Sequence, residues 1–131
     1  MSLCLGLTIG LAAAQHANQP KQLRFSLLVF ESCPNSPAMK ANLGSALKAL
    51  HLKREVTVID IMKLPSGDRR RDYGAPTVLV DGKDLFGKQP PASRQGGISC
   101  RIYPNGVPSA MEIQKRLQVR IFEKVHGSKA H

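Results

Sequence analysis

Tryptophan is absent from this sequence, and only two tyrosines and four phenylalanines occur in 131 residues. Proteins that hold single-stranded nucleic acid stack bases on aromatic side chains, and this chain has few of them. Its basic residues are scattered, apart from the run Arg69-Arg70-Arg71, which is typical of a solvated loop. The sequence therefore predicts no specific binding of nucleic acid.

Cysteine is also scarce, because the chain has only Cys4, Cys33 and Cys100. An odd and sparse set of cysteines excludes a secreted scaffold held together by disulfides. No two of them are spaced as a CxxC pair, so a structural zinc site is not indicated. Two interpretations are left, reactive thiol chemistry and simple burial.

Acidic residues are few, with nine aspartates and glutamates against nineteen lysines and arginines and a net charge of +10. The excess favours anionic partners such as glutathione, phosphate, nucleic acid or acidic membrane surfaces, without choosing among them. The apolar content of 42% and the charged content of 21% are ordinary for a globular protein. The length suits one domain with one hydrophobic core.

The N-terminal apolar stretch, residues 3–14, is too short to span a membrane as a helix, so no transmembrane segment is predicted. It is similar to the core of a secretory signal with Ala12-Ala13-Ala14 as the cleavage site, but positive residues before it are missing. A removable signal, an alternative-start or disordered extension and a packed helix all stay open. Residues 1–22 are therefore separated from a domain at 23–126 and a tail at 127–131. A cytoplasmic location is favoured, or a periplasmic one if residues 1–14 act as a signal.

The first half of the domain has the pattern strand, helix, strand. Residues 23–30 form a short apolar run that predicts a buried strand, and residues 55–61 predict a second one. Between them, apolar residues recur at helical spacing and predict an amphipathic helix from Pro37 to Leu50. Short connections of this kind require parallel strands and a right-handed crossover.

The second half has the pattern strand, strand, helix, after a connection at 62–74 with room for at most a short helix. The dipeptide Asp81-Gly82 predicts a hairpin within residues 75–86, because a type I′ turn needs positive φ at both central positions. Residues 87–107 read as a long polar loop, a kind of segment that is often functional. Ser109 and Glu112 predict a capping box, and the helix after it has an apolar stripe: Ala110, Ile113, Leu117, Ile121 and Val125. We predict an α/β fold of the order β-α-β, short connection, β-β-α, with a four-stranded mixed sheet.

Cys33 lies where the first strand gives way to a helix. Unpaired backbone N–H groups and the helix dipole favour the thiolate there, and the thiolate is the nucleophile. With Ser36 as the N-cap and Pro37 at the first helical position, Cys33 falls in the loop just outside the helix. An inert, packed cysteine is the other interpretation.

The Cys33-Pro34 pair after a strand, and Ala75-Pro76-Thr77-Val78 opening a hairpin, resemble the thioredoxin superfamily. Within it, the chain resembles small bacterial thioredoxin-like proteins known as DF-family (seleno)proteins, over residues 23–117. The motifs that carry this are residues 28–35, 75–82 and 100–103, and some members have selenocysteine at the position of Cys33. The resemblance implies a thiol–disulfide oxidoreductase with Cys33 as nucleophile and a cis Ala75–Pro76 bond facing it. It also implies an extended substrate pairing with the Ala75 backbone, and substrate contacts with these residues: Pro34, Asn35, Ala75, Pro76 and Thr77.

The sequence departs from the redox-active pattern at Ser36, which stands where a second, resolving cysteine would follow Cys33. Two mechanisms stay open. Cys33 forms a mixed disulfide that glutathione resolves, or Cys100 resolves it. The predicted topology returns the loop at 87–107 to the Cys33 edge of the sheet, and Gly96 and Gly97 give it freedom to approach. Alternatively, Cys100 is a small buried hydrophobe that anchors the loop.

Two further classes of function stay open. Cys33 and Cys100 together suit a soft metal or metalloid, such as mercury, copper or arsenic. A non-catalytic domain could instead offer its Pro76 edge to a peptide. No cofactor is predicted, although glutathione is a candidate co-substrate, and the partners are thiol or disulfide compounds. The sequence does not indicate an oligomeric state or a catalytic histidine.

Overall fold

The computed structural model describes residues 22–53, 55–89 and 98–127. Within these ranges the elements follow in the order β1, α1, β2, two 3-10 turns, β3, β4 and α2. Their bounds are Phe25–Val29 (β1), Ser36–Ala49 (α1), Val56–Asp60 (β2), Ile61–Lys63 and Arg69–Tyr73 (3-10 turns), Thr77–Val80 (β3), Lys83–Asp84 (β4) and Ala110–His126 (α2). The predictions for residues 1–21 and 128–131, including Cys4, fall outside the described residues and stay predictions.

The sheet is mixed and has the strand order β2-β1-β3-β4. β1 pairs in parallel with β2 and antiparallel with β3, and β4 pairs antiparallel with β3. Leu28, near the end of β1, lies opposite Thr77, the first residue of β3. The end of β1 and the beginning of β3 therefore meet at one edge of the sheet. The predicted α/β fold with a four-stranded mixed sheet is confirmed.

The two faces of the sheet are covered differently. Both helices pack on one face, where the largest cluster of buried side chains includes Leu27 of β1, Leu43 of α1 and Leu117 of α2. The opposite face is covered by the two 3-10 turns, through a smaller cluster that includes Leu28 and Tyr73. Burial of this apolar surface, at about 25 cal/mol per Å², is the main favourable contribution to folding.

The hairpin between β3 and β4 turns at Asp81 and Gly82, whose φ angles are 50° and 79°. This confirms the turn that the dipeptide predicts. β4 ends at Asp84, two residues before the predicted end of the strand. Its carboxylate points inward and accepts from the Lys88 N–H over 2.7 Å. The Leu85 N–H still donates to the Val78 carbonyl over 2.9 Å, and the chain then turns, with the Gly87 N–H donating to the Asp84 carbonyl over 3.2 Å.

The start of α1 differs by one residue from its prediction. Asn35 is the N-cap, without a side-chain hydrogen bond, and Ser36 is already helical. Pro37 is tolerated there because the first N–H groups of a helix have no partner within the helix. The prediction of Ser36 as N-cap was wrong, but Cys33 still lies in the loop outside the helix.

The start of α2 agrees with its prediction. Ser109 Oγ accepts from the Glu112 N–H over 3.2 Å, and the Glu112 carboxylate accepts from the Ser109 N–H over 2.8 Å. The predicted apolar stripe is buried only at its beginning. Ile113 and Leu117 are fully buried, whereas Val125 is 59% exposed. α2 therefore extends beyond the core at its C-terminal end.

The prediction of a solvated loop is correct for Arg69, which is exposed, but the arginine run forms the second 3-10 turn instead of a loop. Arg70 forms an ion pair with Asp68 that lowers the pKa of that carboxyl to about 2, and Arg71 donates to the Leu64 carbonyl over 3.3 Å. Both arginines are half-buried in the second 3-10 turn. As for membranes, none of the helices in the described ranges combines the length and the apolar character needed to cross one.

Candidate active site

Cys33 is fixed by the turns that connect β1 to α1. Its N–H donates to the Phe30 carbonyl over 3.0 Å, and its own carbonyl accepts from the Ser36 N–H over 3.3 Å. The residue is only 1% exposed. The structure therefore puts Cys33 at the predicted junction of strand and helix, with its sulfur covered.

The Cys33 sulfur faces the residue before Pro76. Sγ donates to the Ala75 carbonyl oxygen over 3.4 Å, and the Ala75–Pro76 bond is cis, as the resemblance implies. The Cys33 thiol and the cis proline thus meet at the edge where β1 ends and β3 begins.

The backbone of Ala75 is already paired with another part of the chain. Its N–H donates to the Ser99 carbonyl over 3.1 Å, and its carbonyl accepts from the Arg101 N–H over 2.8 Å, which makes a parallel bridge between Ala75 and Cys100. Gly74 makes this approach possible, because a Cβ at its position would lie 3.0 Å from the Ser99 carbonyl oxygen. Residues 99–101 thus form an added, strand-like segment at this edge.

This pairing places Cys100 near Cys33, because the Cys33 sulfur and the Cys100 backbone both lie against Ala75. The Cys100 thiol is exposed, and interaction with the Cys33 thiol raises the pKa of Cys100 above its usual range, with a smaller contribution from desolvation. The interpretation of Cys100 as a small buried hydrophobe was wrong, because its side chain is open to solvent. Gly96 and Gly97 lie outside the described residues.

A buried ion pair holds the segment that carries Cys100. Both guanidinium NH2 groups of Arg101 donate to the Asp84 carboxylate over 2.8 Å, and one of them also donates to Thr77 Oγ1 over 3.2 Å. The Thr77 hydroxyl in turn donates to the Gly74 carbonyl over 3.0 Å. The side chain of Asp84 is fully buried, so its charge depends on Arg101 for compensation.

Tyr103 adds a second anchor two residues later. Its hydroxyl donates to the Pro76 carbonyl over 2.7 Å, and the Arg101 guanidinium lies 4.5 Å from its ring centre. Burial raises the pKa of this phenol to about 12. Arg101 and Tyr103 are buried while Ile102 between them is 90% exposed. Sequence reasoning gave these anchors no role, although their alternation with Ile102 has the period of a strand.

The residues implied to contact substrate are mostly inaccessible. Pro34 is exposed and Asn35 is half-buried, but Ala75, Pro76 and Thr77 are buried. The Ala75 N–H and carbonyl, implied to pair with an extended substrate, are both occupied by residues 99 and 101. The structure thus brings Cys33, Ala75, Pro76 and Cys100 together, and Cys100 lines an open surface beside them.

That open surface is a cleft of about 600 Å³. Its described lining combines cationic and apolar side chains: Phe86, Gly87, Lys88, Ser99, Cys100, Arg101, Ile102, Tyr103, Pro104 and Arg116. As for metal ligands, the described ranges contain no group of three or more His, Cys, Asp or Glu side chains. Cys33 and Cys100 would supply two sulfur ligands.

Comparison with protein-family models, with curated proteins and with solved structures gives no significant match.

Proposed function

We propose that this protein is a thioredoxin-like thiol–disulfide oxidoreductase whose redox couple is Cys33 and Cys100. The observation that carries the proposal is that two cysteines from distant parts of the chain, one buried and one open to solvent, both lie against Ala75. Cys33 Sγ donates to the Ala75 carbonyl over 3.4 Å, and Cys100 forms a parallel bridge with Ala75. Free cysteines packed for stability alone have no need of a second thiol. Two thiols held beside the same residue are placed to exchange between dithiol and disulfide.

The arrangement around the pair supports the thioredoxin-like part of the proposal. A strand, a helix and a parallel strand precede a hairpin and a second helix. The thiol between β1 and α1 faces a cis proline at the start of β3. Fold alone does not assign function, so the argument for redox activity rests on the two sulfurs.

The reaction is a two-electron exchange with a disulfide substrate. One protein thiolate attacks a substrate sulfur, which forms a mixed disulfide and releases one substrate thiolate. The second protein thiolate then attacks the protein sulfur of the mixed disulfide and releases the other substrate thiolate. The substrate disulfide is reduced, the protein dithiol is oxidised to a Cys33–Cys100 disulfide, and the two thiol protons pass to the released thiolates.

The test is whether a disulfide forms between Cys33 and Cys100. The reduced full chain is equilibrated with mixtures of reduced and oxidised glutathione, quenched with acid, alkylated and mapped by mass spectrometry. We expect the Cys33–Cys100 disulfide in the wild type and in Cys4→Ser, a matched control that removes the cysteine outside the pair. We expect catalysis of insulin reduction to be lost in Cys33→Ser.

Two outcomes would contradict the proposal. The first is that Cys33 and Cys100 both stay reduced in the wild type, at ratios of oxidised to reduced glutathione that oxidise ordinary vicinal dithiols. The other is a Cys33→Ser variant that turns over disulfides at the wild-type rate.

The placement of two cysteines beside Ala75 also favours a second candidate, binding of a soft metal by two thiolates. Copper(I) and mercury(II) accept two sulfur ligands, and no further protein ligand is then required. Titration with copper(I) in a competing chelator would compare the wild type with Cys100→Ser. Loss of most of the affinity in the variant supports a two-sulfur site, and equal affinity in both proteins excludes it.

A further inference from the structure

We propose that the cleft beside Cys100 binds a small anionic disulfide, such as glutathione disulfide, and that Cys100 makes the first attack on it. This inference rests on the proposed function and reverses the order of attack that the resemblance implies. It assigns a substrate class to a surface on which Lys88 and Arg116 are the accessible cations.

Accessibility decides which sulfur meets the substrate first. Cys33 is 1% exposed, and its S–H points at the Ala75 carbonyl, so a disulfide cannot approach it from solvent in this arrangement. Cys100 is exposed and lines the cleft. Since attack on a disulfide requires direct contact of the two sulfurs, Cys100 reacts first and Cys33 resolves.

The charge of the cleft selects the substrate. Three of its described lining residues are cationic, and none is acidic. The charge of Arg101 is compensated by Asp84 beneath it, which leaves Lys88 and Arg116. Neither of these two takes part in the ion pairs found among the described residues, which are Arg70–Asp68, Arg101–Asp84 and Lys124–Asp81.

Both cations are held in place by contacts that leave them able to bind an anion. The Lys88 ammonium donates to the Tyr73 carbonyl over 3.0 Å and has two further protons to donate. The Arg116 guanidinium lies 5.1 Å from the centre of the Phe86 ring. Side chains that are already positioned lose less conformational entropy when they bind a carboxylate.

The size of the cleft favours a small molecule. Its volume of about 600 Å³ lies within the usual range for small-ligand sites, about 300–1,000 Å³. Glutathione disulfide carries two carboxylates on each half, and these can pair with Lys88 and Arg116 while the disulfide lies at Cys100. Ile102, 90% exposed, provides apolar contact for the methylene groups.

The Cys100 thiolate attacks one sulfur of glutathione disulfide, which forms a Cys100–glutathione mixed disulfide and releases a glutathione thiolate. The Cys33 thiolate then attacks the Cys100 sulfur, forms the Cys33–Cys100 disulfide and releases the second glutathione thiolate. Each released thiolate takes up one of the two protons lost by the cysteines.

The experiment measures how the oxidation rate depends on the charge of the disulfide. The full-length wild type, Arg116→Gln and the double variant Lys88→Gln/Arg116→Gln react with three disulfides: anionic glutathione disulfide, the neutral disulfide of mercaptoethanol and cationic cystamine. Lys53→Gln is the matched control, because Lys53 is an exposed cation in the connection before β2, at the opposite edge of the sheet. The readout is the ratio of the rate constants for charged and neutral disulfides in each protein, which cancels any general change in thiol reactivity.

In Arg116→Gln we expect the rate constant for glutathione disulfide, divided by that for the neutral disulfide, to fall by up to about fivefold. A change of that size corresponds to the loss of one exposed ion pair. It should fall further in the double variant and stay at the wild-type value in Lys53→Gln, while the ratio for cystamine rises in both cleft variants. In Cys33→Ser, trapped glutathione should be found on Cys100.

Three results would overturn the inference. The first is that the ratios of rate constants do not differ between the wild type and the cleft variants. The second is that Lys53→Gln lowers the ratio as much as Arg116→Gln does. The third is that glutathione is trapped on Cys33 in the Cys100→Ser variant as fast as it is trapped on Cys100 in the Cys33→Ser variant. The proposed function survives each of these results if the wild type still forms the Cys33–Cys100 disulfide. It fails separately if that disulfide never forms.

Discussion

Replacing Arg101 by methionine tests the idea that one buried ion pair holds Cys100 beside Cys33. Arg101→Met keeps an unbranched chain of similar reach and removes the guanidinium. The Asp84 carboxylate, fully buried in the wild type, then loses both hydrogen bonds of 2.8 Å from Arg101. Thr77 loses a third at 3.2 Å.

The expected loss of stability is large for a single side chain. Removing one partner of a buried ion pair costs about 3–5 kcal/mol, because the other charge stays buried and uncompensated. A domain of this size has a total stability of about 5–15 kcal/mol. Arg101→Met should therefore fold in water but unfold at much lower urea concentration. Arg101→Lys should lie between it and the wild type, since lysine cannot reproduce the two parallel hydrogen bonds.

Two measurements separate stability from site geometry. Urea denaturation followed by circular dichroism gives the free energy of unfolding. The rate of Cys33–Cys100 disulfide formation in glutathione buffer, measured where the variants are folded, reports the position of Cys100. We expect that rate to fall in Arg101→Met, because the Arg101 backbone also donates to Ala75 over 2.8 Å and its side chain orients that segment.

A double variant makes the reasoning refutable. Asp84→Leu combined with Arg101→Met removes both charges, so it should be less destabilised than Arg101→Met alone. In the double variant the Lys88 N–H also loses its hydrogen bond of 2.7 Å to Asp84. The free energy of unfolding should therefore stay about 1 kcal/mol below that of the wild type. A loss of less than about 1 kcal/mol in Arg101→Met would contradict a charge-compensating role for Arg101. So would a double variant that loses the sum of the two single losses.

Three further predictions concern the neighbourhood of the pair. Gly74→Ala puts a Cβ 3.0 Å from the Ser99 carbonyl at φ +76°, so we expect a loss of about 1–3 kcal/mol in urea denaturation and slower disulfide formation; wild-type values in both assays would contradict this. Ser36→Ala removes a buried hydroxyl that has no hydrogen-bond partner, so the free energy of unfolding should rise by up to about 1 kcal/mol, and a clear loss would count against it. The interaction with Cys33 raises the pKa of Cys100, so the rate of iodoacetamide alkylation at Cys100 should keep rising into the alkaline range. Its midpoint should shift to lower pH in Cys33→Ser, and an unchanged midpoint would be inconsistent with the coupling.

The features that sequence reasoning predicted correctly depend on neighbouring residues. Asp81 and Gly82 determine their turn by their own backbone preferences, and both φ angles are positive. Ser109 and Glu112 satisfy each other's backbone donors within a single helical turn. The position of Cys33 just before α1 follows in the same way from the apolar run before it and the proline after it.

The features that it missed depend on contacts between distant residues. Arg101 and Asp84 belong to types that are mostly exposed, and nothing in the sequence near either indicates the other. Residues 99–101 contain no apolar run, and the alternation from Arg101 to Tyr103 spans only three residues, which is too short to predict a strand that pairs with Ala75. The predicted apolar stripe of α2 is buried only in its first half. Periodicity shows which face of a helix is apolar, but it does not show where the sheet beneath the helix ends.

In the proposed redox couple, the long chain distance between Cys33 and Cys100 links oxidation to folding. Linking positions 33 and 100 closes most of the domain into one loop, which lowers the conformational entropy of the unfolded chain and favours folding by about 4 kcal/mol on a chain-entropy estimate. By linkage, folding favours formation of the disulfide by the same free energy, because it brings together two sulfurs that rarely meet in the unfolded chain. The oxidised protein should therefore withstand denaturant better than the reduced one, and unfolding should make the disulfide easier to reduce.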